Sequence, residues 1–275
     1  MKIDISALGG IIFGVVALVS GFVLEGGRAA ALLQGTAAII VIGGTIAATA
    51  VSFSLNDLKK VPQLMKMGFT RTTFDPIALI DQLARYTDIA RREQPLALEA
   101  EIEKTGDEFL AKGLQLIVDN ADPELIRQML EADIYAWSSQ QKVGVSIFEA
   151  AGGYAPTMGI IGTVMGLVHV LGELAGNPND LATAIGLAFI ATLYGVATAN
   201  LLWLPLATNL KNKAKHDLLM RQIALEGILS IQQGMPPSIL KDKLMSFIRP
   251  SGESNGNGGQ VAAQAVEGRR AVGAS

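Results

Sequence analysis

The chain has 275 residues, half of them hydrophobic and only 17% charged, with a formal net charge of −3; an average soluble domain is about one quarter charged. That balance fits a membrane protein with a smaller polar part and argues against nucleic acid as a partner. The sequence has no cysteine, hence no disulfide and no thiolate metal site, and its two histidines, His169 and His216, lie too far apart for a local metal motif.

The first uncharged run, Ile5 to Leu24, follows a start with one lysine and lacks a small-x-small cleavage pattern, so it is expected to remain as a span. After the break EGGR, Glu25 to Arg28, a second uncharged run extends from Ala29 to Asn56. A third is expected to start near Phe148, with Glu149 at its entrance, and contains GGYAPTMGIIGTVMGLVHVLG from Gly152 to Gly172. The fourth extends from Leu181 to Leu210. About 20 helical residues cross a hydrocarbon core of ~30 Å, so these runs predict four transmembrane helices.

Charge sets the orientation. Lys59, Lys60 and Lys66 follow the second run, and Lys211, Lys213 and Lys215 follow the fourth. The break between runs one and two holds only Arg28, and ELAGNPND between runs three and four holds no basic residue. Basic residues near span ends prefer the cytoplasm. Both termini and the long central region are therefore expected there, in a multi-pass protein of the inner membrane.

The central region reads as helical. TFDPIALIDQLARYTDIARR places Asp75 as N-cap and Pro76 at the first helical position, with Ile77, Ile80, Leu83 and Ala84 at helical spacing. Asp122 and Pro123 repeat the device, and the amphipathic stretch between is expected to break at Gly106. After the fourth run comes another helical piece, with a turn at Gly234 to Pro237 and Ser238 as the expected cap of a short last helix. From Pro250 onward the composition has little reason to fold. The expected fold is all-α and membrane-integral. Spans one and two lie in 1–56, a cytoplasmic helical domain in 57–147 and spans three and four in 148–210. Cytoplasmic C-terminal helices in 211–249 and a disordered tail in 250–275 complete it. No P-loop, dinucleotide fingerprint or nucleophile elbow is present, and the chain reads as a non-enzyme.

Small residues let helices approach closely in a membrane. Gly162 and Gly166 form a GxxxG pair, Gly159 extends their face, and Gly10 and Gly14 form another pair. Gly152, Gly153 and Gly172 add to the third span. This pattern serves packing inside one subunit or between subunits. Thr163 and Thr192 have two readings: each can bond the carbonyl one turn back, or the two can line an ion route as oxygen ligands for a hard cation. Neither span carries an Asp or Glu at mid-depth, where ion relays usually sit. A partner must then bring the carboxylate. Pro156 and Pro205, near the cytoplasmic ends of spans three and four, are expected to bend the helices, either as plain kinks or as coupling points. His169 reads as a packing or interfacial residue, and Glu149 as a coupling or interfacial one.

On GGYAPTMGIIGTVMGLVHVLG, on AIGLAFIATLYGVATANLLWLPLA and on the order of the four runs, the chain resembles the A subunits of the bacterial flagellar motor stator, the MotA/PomA family. The similarity reaches from the N-terminus to about Phe247. It implies five A subunits around a dimer of B subunits (MotB/PomB type), whose transmembrane helix carries an essential aspartate, and torque on a rotor protein of the FliG type. It further implies that Pro156 and Pro205 are the coupling prolines and that Thr163 and Thr192 lie near the partner aspartate. ARREQPLALEAEIEK resembles the rotor-engaging segment, with Arg91 and Glu99 at its basic and acidic positions and Arg92, Glu93, Glu101 and Glu103 adding charge. Pro95 departs from the pattern and leaves the facing of Arg91 and Glu99 open. Thr163 resembles sodium-coupled members more than proton-coupled ones, so the transported ion is expected to be sodium, with a proton as the alternative. No cofactor is expected. The competing readings are an ExbB/TolQ-type energy transducer, which usually has three spans, a solute transporter and a structural membrane scaffold.

Overall fold

The computed structural model describes residues 4–71, 74–172 and 178–248, with the backbone alone for 178–184. The expected tail, 250–275, and residues 173–177 of the loop between spans three and four lie outside the described residues. Every regular element among the described residues is a helix. They group into two units: residues up to Phe74 with Ala132–Leu218, and Asp75–Glu131 with the chain from Leu219 onward.

Four helices are long and apolar enough to cross a membrane: Ile5–Leu24, Ala29–Ser52, Pro123–Gly172 and Ile185–Gln232. The third does not start near Phe148 as the change in hydropathy suggests. One helix of 50 residues runs from Pro123 to Gly172, about 75 Å at 1.5 Å per residue. Helix continuity needs an unbroken backbone ladder, not uniform hydropathy, and residues 124–143 contain neither proline nor glycine.

In the first unit, Asp4 caps span one, accepting from the Ala7 amide at 3.4 Å. Gly26, at φ +89°, ends the helical path. No side chain of span one is buried, and Phe13 and Leu24 are 75% and 88% exposed; a bilayer, not water, suits such a surface. Span two contains a π-helical turn at Ile39–Gly43. Its buried residues, Ala37, Val41, Thr45 and Thr49, recur every four positions and form one stripe. Span four also contains a π turn, Ala199–Trp203. Pro205 follows one residue after it, beyond Leu204. Having no N–H for the carbonyl one turn back, and a ring that crowds it, proline suits a locally widened turn.

Below the spans, Val145, Phe148, Leu206, Ala207 and Leu210 form a core. Val61, Leu64, Met65 and Phe69, from the short amphipathic helix Val61–Gly68 and its end, pack against it. Lys213 caps that helix: its Nζ donates to the carbonyls of Met67, Gly68 and Thr70 at 2.8–2.9 Å. Asp4 lies 3.9 Å from the same ammonium, and its amide donates to Phe69 O at 2.8 Å. Burial pulls the Lys213 ammonium below the usual lysine value, against the Asp4 charge. Asp4 is held below the usual carboxylate range, first by the Ser6 hydroxyl and also by the Ala7 amide and Lys213, despite some desolvation.

The second unit follows its caps. Asp75 accepts from the Ala78 amide at 3.0 Å and opens Pro76–Glu93; Asp122 accepts from the Glu124 amide at 2.8 Å ahead of Pro123. Gly106 lies in the break between Glu99–Ile102 and Glu108–Val118. Ile80, Leu83, Tyr86, Leu98, Leu114 and Ile228 fill the core. Ser238 is not a cap: the last helix, Pro237–Met245, starts after Pro236 with no side-chain cap bond. A proline at the first helical position needs no N–H partner and fixes φ by itself, and Ser238 falls inside the first turn.

Candidate functional site

The site is a seam between spans three and four, both in the first unit. Gly159, Gly162 and Gly166 share one side of their helix because positions three and four apart are neighbours. Ala188, Ala191, Thr192 and Gly195 recur at the same spacing on the facing helix. A Cβ added to Gly159 would lie 2.8 Å from the carbonyl oxygen of Ala191 and 3.1 Å from the Cα of Thr192. One on Gly195 would overlap the carbonyl oxygen of Ala155 and come within 3.0 Å of the Gly159 Cα and 3.1 Å of the Pro156 Cα. These neighbours are backbone and cannot turn aside. Farther along, an added Cβ would lie 2.8 Å from the Ala191 methyl at Gly162 and 2.8 Å from the Ala188 methyl at Gly166.

The glycines divide by position. Gly153, Gly172 and Gly10 face open space within this chain, Gly152 meets the Leu204 side chain, and Gly14 meets Leu201. The Gly10–Gly14 pair therefore acts through one member. Gly195, Ala188 and Ala191 complete the seam and escape sequence reasoning, although their regular spacing with Thr192 is a signal in hindsight.

Two hydroxyls cross the seam. Thr163, 8% exposed, has its Oγ1 at 2.6 Å from Thr192 Oγ1. It also reaches the carbonyl oxygens of Gly159 at 3.1 Å and of Ala188, on the other helix, at 3.0 Å. Thr192 Oγ1 reaches Gly159 O at 3.4 Å, again across helices. The hydroxyls therefore make more than bonds within their own turns. Each has one hydrogen and two lone pairs. One hydrogen joins the pair and the other can go to a carbonyl, which leaves hydroxyl lone pairs over. The result is four neutral oxygens in contact. No Asp or Glu occurs between Ala150 and Gly172 or between Ile185 and Leu210. Among the described residues no cluster of three His, Asp or Glu could hold a metal ion.

Tyr194 is a further residue that sequence reasoning passed over. Its OH donates to Leu32 O at 2.5 Å and accepts from the Gln34 amide at 3.2 Å, tying span four to the entrance of span two. A polar-tipped ring inside an uncharged run was the available signal. Pro156 sits inside the third helix with its Cα against Gly195, and Pro205 lies beyond the π turn of span four. Glu149 and Lys211 pair at 3.6 Å near the cytoplasmic ends of the two spans, both about half exposed. His169 is exposed near the other end.

The charged segment belongs to the second unit. Arg91 and Arg92 end the helix Pro76–Glu93; Gln94, at φ +74°, reverses the path, and Pro95–Leu98 forms a 3-10 turn leading into Glu99–Ile102. Pro95 thus starts a new helical piece. Arg92 pairs with Asp88 at 2.9 Å. Glu101, its side chain 15% exposed, pairs with Arg85 at 3.6 Å and Lys104 at 2.7 Å. Arg91 and Glu99 are exposed and make no ion pair among the described residues.

Comparison with known proteins places these features. The model of the family "Motility protein A N-terminal" matches residues 8–94, and that of the "MotA/TolQ/ExbB proton channel family" matches residues 101–223. Motility protein A of Bacillus subtilis is 39% identical over 246 residues, which cover 89% of this chain and 91% of that protein. The flagellar MotAB stator complex from Bacillus subtilis contains a chain that superposes with a TM-score of 0.83 at 38% identity, covering 88% of this chain and 95% of that one. C. jejuni MotAB gives a TM-score of 0.85 at 28% identity, covering 92% and 98%.

Proposed function

The chain belongs to the MotA/PomA family of flagellar stator subunits, and from that premise we propose how it works. It is a non-enzymatic, multi-pass inner-membrane subunit of a MotAB-like complex that drives rotor torque through ion flow. In the proposed assembly five copies surround a dimer of B subunits. A transmembrane aspartate of the B chain supplies the carboxylate that spans three and four lack. The Thr163–Thr192 pair lies beside it and lends oxygens to the passing cation, sodium in preference to a proton.

The observation that carries this reading is the crossing of two hydroxyls at 2.6 Å in a seam of backbone against backbone. A charge that arrives or leaves there acts on both helices at once. Moving one charge through 100 mV is worth about 2.3 kcal/mol, enough to bias a packing step and too little to unfold a subunit. Pro156 and Pro205, with Glu149 and Lys211 below them, pass the step toward the cytoplasm. In the second unit Arg91 and Glu99, inside the expected rotor-facing region 57–147, engage a FliG-type rotor protein. Arg92 and Glu101 are held by Asp88, Arg85 and Lys104 and organise that surface. Exposed ion pairs are worth about 0–1 kcal/mol each, which suits repeated engagement and release.

Thr163→Val and Thr192→Val test the ion path in cells that carry the B partner. Each single variant is expected to lower torque about tenfold, the equivalent of one or two hydrogen bonds. The double variant should fall little further, because the hydroxyls act as a unit. Undiminished torque in the double variant would remove the pair from the path. Full torque without sodium, abolished by a protonophore, would overturn the choice of sodium and leave the proton.

A further inference from the structure

Tyr194 lies two residues after Thr192, and in a helix such a step turns the side chain through about 200°. Thr192 faces span three, and Tyr194 faces span two. The Tyr194 ring packs against a core of Ala37 and Val41 from span two and Ile190 and Ala191 from span four. Span four is therefore held from two opposite sides, by the hydroxyl pair on one and by this phenol on the other.

The phenol reaches a break in the backbone ladder. The 3-10 turn Ala29–Leu32 ends there, and the first helical turn of span two, Gly35–Ala38, has not begun; Leu33 and Gln34 are extended, and the Gln34 side chain makes no cap bond. The Tyr194 hydroxyl serves both edges of that break, donating to Leu32 O at 2.5 Å and accepting from the Gln34 amide at 3.2 Å. Backbone groups left over in an apolar setting are costly, so these bonds are not given up lightly. They also fix a rotation. The phenol oxygen stands farther from the axis of span four than the threonine oxygen does, so a turn that shifts Thr192 Oγ1 slightly shifts the Tyr194 oxygen more. The face of glycine and alanine on the other side lets the helices approach closely and offers few bulky side chains to resist such a turn.

We infer that Tyr194 is a positioning residue for the ion path: by tying span four to the entrance of span two, it holds Thr192 Oγ1 at 2.6 Å from Thr163 Oγ1 and within reach of Gly159 O. That role rests on the proposed use of the pair as oxygen ligands for the cation. Without the phenol hydroxyl, span four keeps its approach to span three and loses its angle. The threonine oxygen then leaves the position that suits the ion, and the cation binds less tightly.

Tyr194→Phe keeps the ring and removes the hydroxyl. In cells that carry the B partner, the sodium concentration for half-maximal torque should rise about fivefold, the scale of one hydrogen bond, while torque at saturating sodium falls less. In a Thr192→Val background the same change should shift it little further, because the oxygen being placed is gone. Tyr154→Phe is the control. It removes another bond between spans, shared by the Tyr154 and Ser52 hydroxyls at 2.9 Å, and should leave the sodium requirement at the parent value. An equal shift in Tyr154→Phe, or a Tyr194→Phe shift that adds in full to that of Thr192→Val, would overturn the positioning role and leave the hydroxyl pair standing. So would an unmoved sodium requirement in Tyr194→Phe, or poor recovery of its complex, either being the mark of a plain brace. Parent torque and parent sodium requirement in Thr192→Val would instead remove the pair itself, and the positioning role with it. Where torque is independent of sodium, the same comparisons are read against external pH and the same outcomes decide.

Discussion

Spans three and four meet through backbone, with glycine facing carbonyl oxygen and Cα atoms. The segment from Arg91 to Glu103 meets water, and among the described residues its charges are either paired along the chain or without an ion pair. Volume is the controlled quantity in the first region and sign of charge in the second. A seam with no spare space turns a small electrostatic change into a shift of a whole helix, because packed interiors transmit strain. A hydrated charged surface does the opposite: each contact is weak and easily remade. In the proposed function the first region converts ion occupancy into movement and the second grips and releases.

The sharpest way to break this contrast is to add volume to the seam. Gly159→Val and Gly195→Val should abolish swimming and reduce recovery of the assembled complex, since overpacking costs about 1–3 kcal/mol even where side chains can yield. Gly153→Ala, in open space within the chain, should swim normally. An equal loss at Gly153 would show that the tightness is not confined to the seam.

A smaller effect is expected in the charged segment. Arg91→Glu or Glu99→Lys should lower torque by up to about fivefold, as expected of an exposed pair, more at low salt than at high salt. Charge reversal on the rotor protein should restore it. Glu101→Gln should instead lower thermal stability slightly, because its partners Arg85 and Lys104 lie within the chain. If Glu101 rather than Arg91 or Glu99 proved sensitive to reversal on the rotor, the division between engaged and free charges would be wrong.

The smallest effect tests the cap beneath the seam. The Asp4 carboxyl lies below its ordinary value in the folded state, so its contribution is present above the unfolded value of about 3.9 and fades as pH falls through the folded one. Melting curves of the parent and of Asp4→Asn in detergent should differ near neutrality and converge in acid. A difference that persisted below the carboxylate range would assign the effect to shape rather than charge.

Much of this was legible from residues. Asp75–Pro76 and Asp122–Pro123 announced helix starts because capping is local chemistry, and the glycine face of span three followed from helical spacing alone. Other features were hidden for physical reasons. That the helix starting at Pro123 runs unbroken into span three was hidden because hydropathy marks the membrane and not the backbone ladder. Ser238 looked like a cap because a hydroxyl is a good acceptor, but two prolines had already fixed the turn. The six lysines after spans two and four looked alike. Among the described residues Lys213 closes on three carbonyls, and which ammonium finds them depends on chain segments far apart in sequence.

The order of residues by itself determined four apolar helices, their orientation, the caps and the absence of an acid beside Thr163 and Thr192, since each depends on composition or on neighbours within a turn or two. Tertiary structure alone decided that Gly195 answers Gly159, that the two hydroxyls share one point, and that Glu101 is paired while Arg91 has no ion pair among the described residues. Those outcomes depend on which faces of separate helices meet, and helical periodicity defines a face without naming its partner.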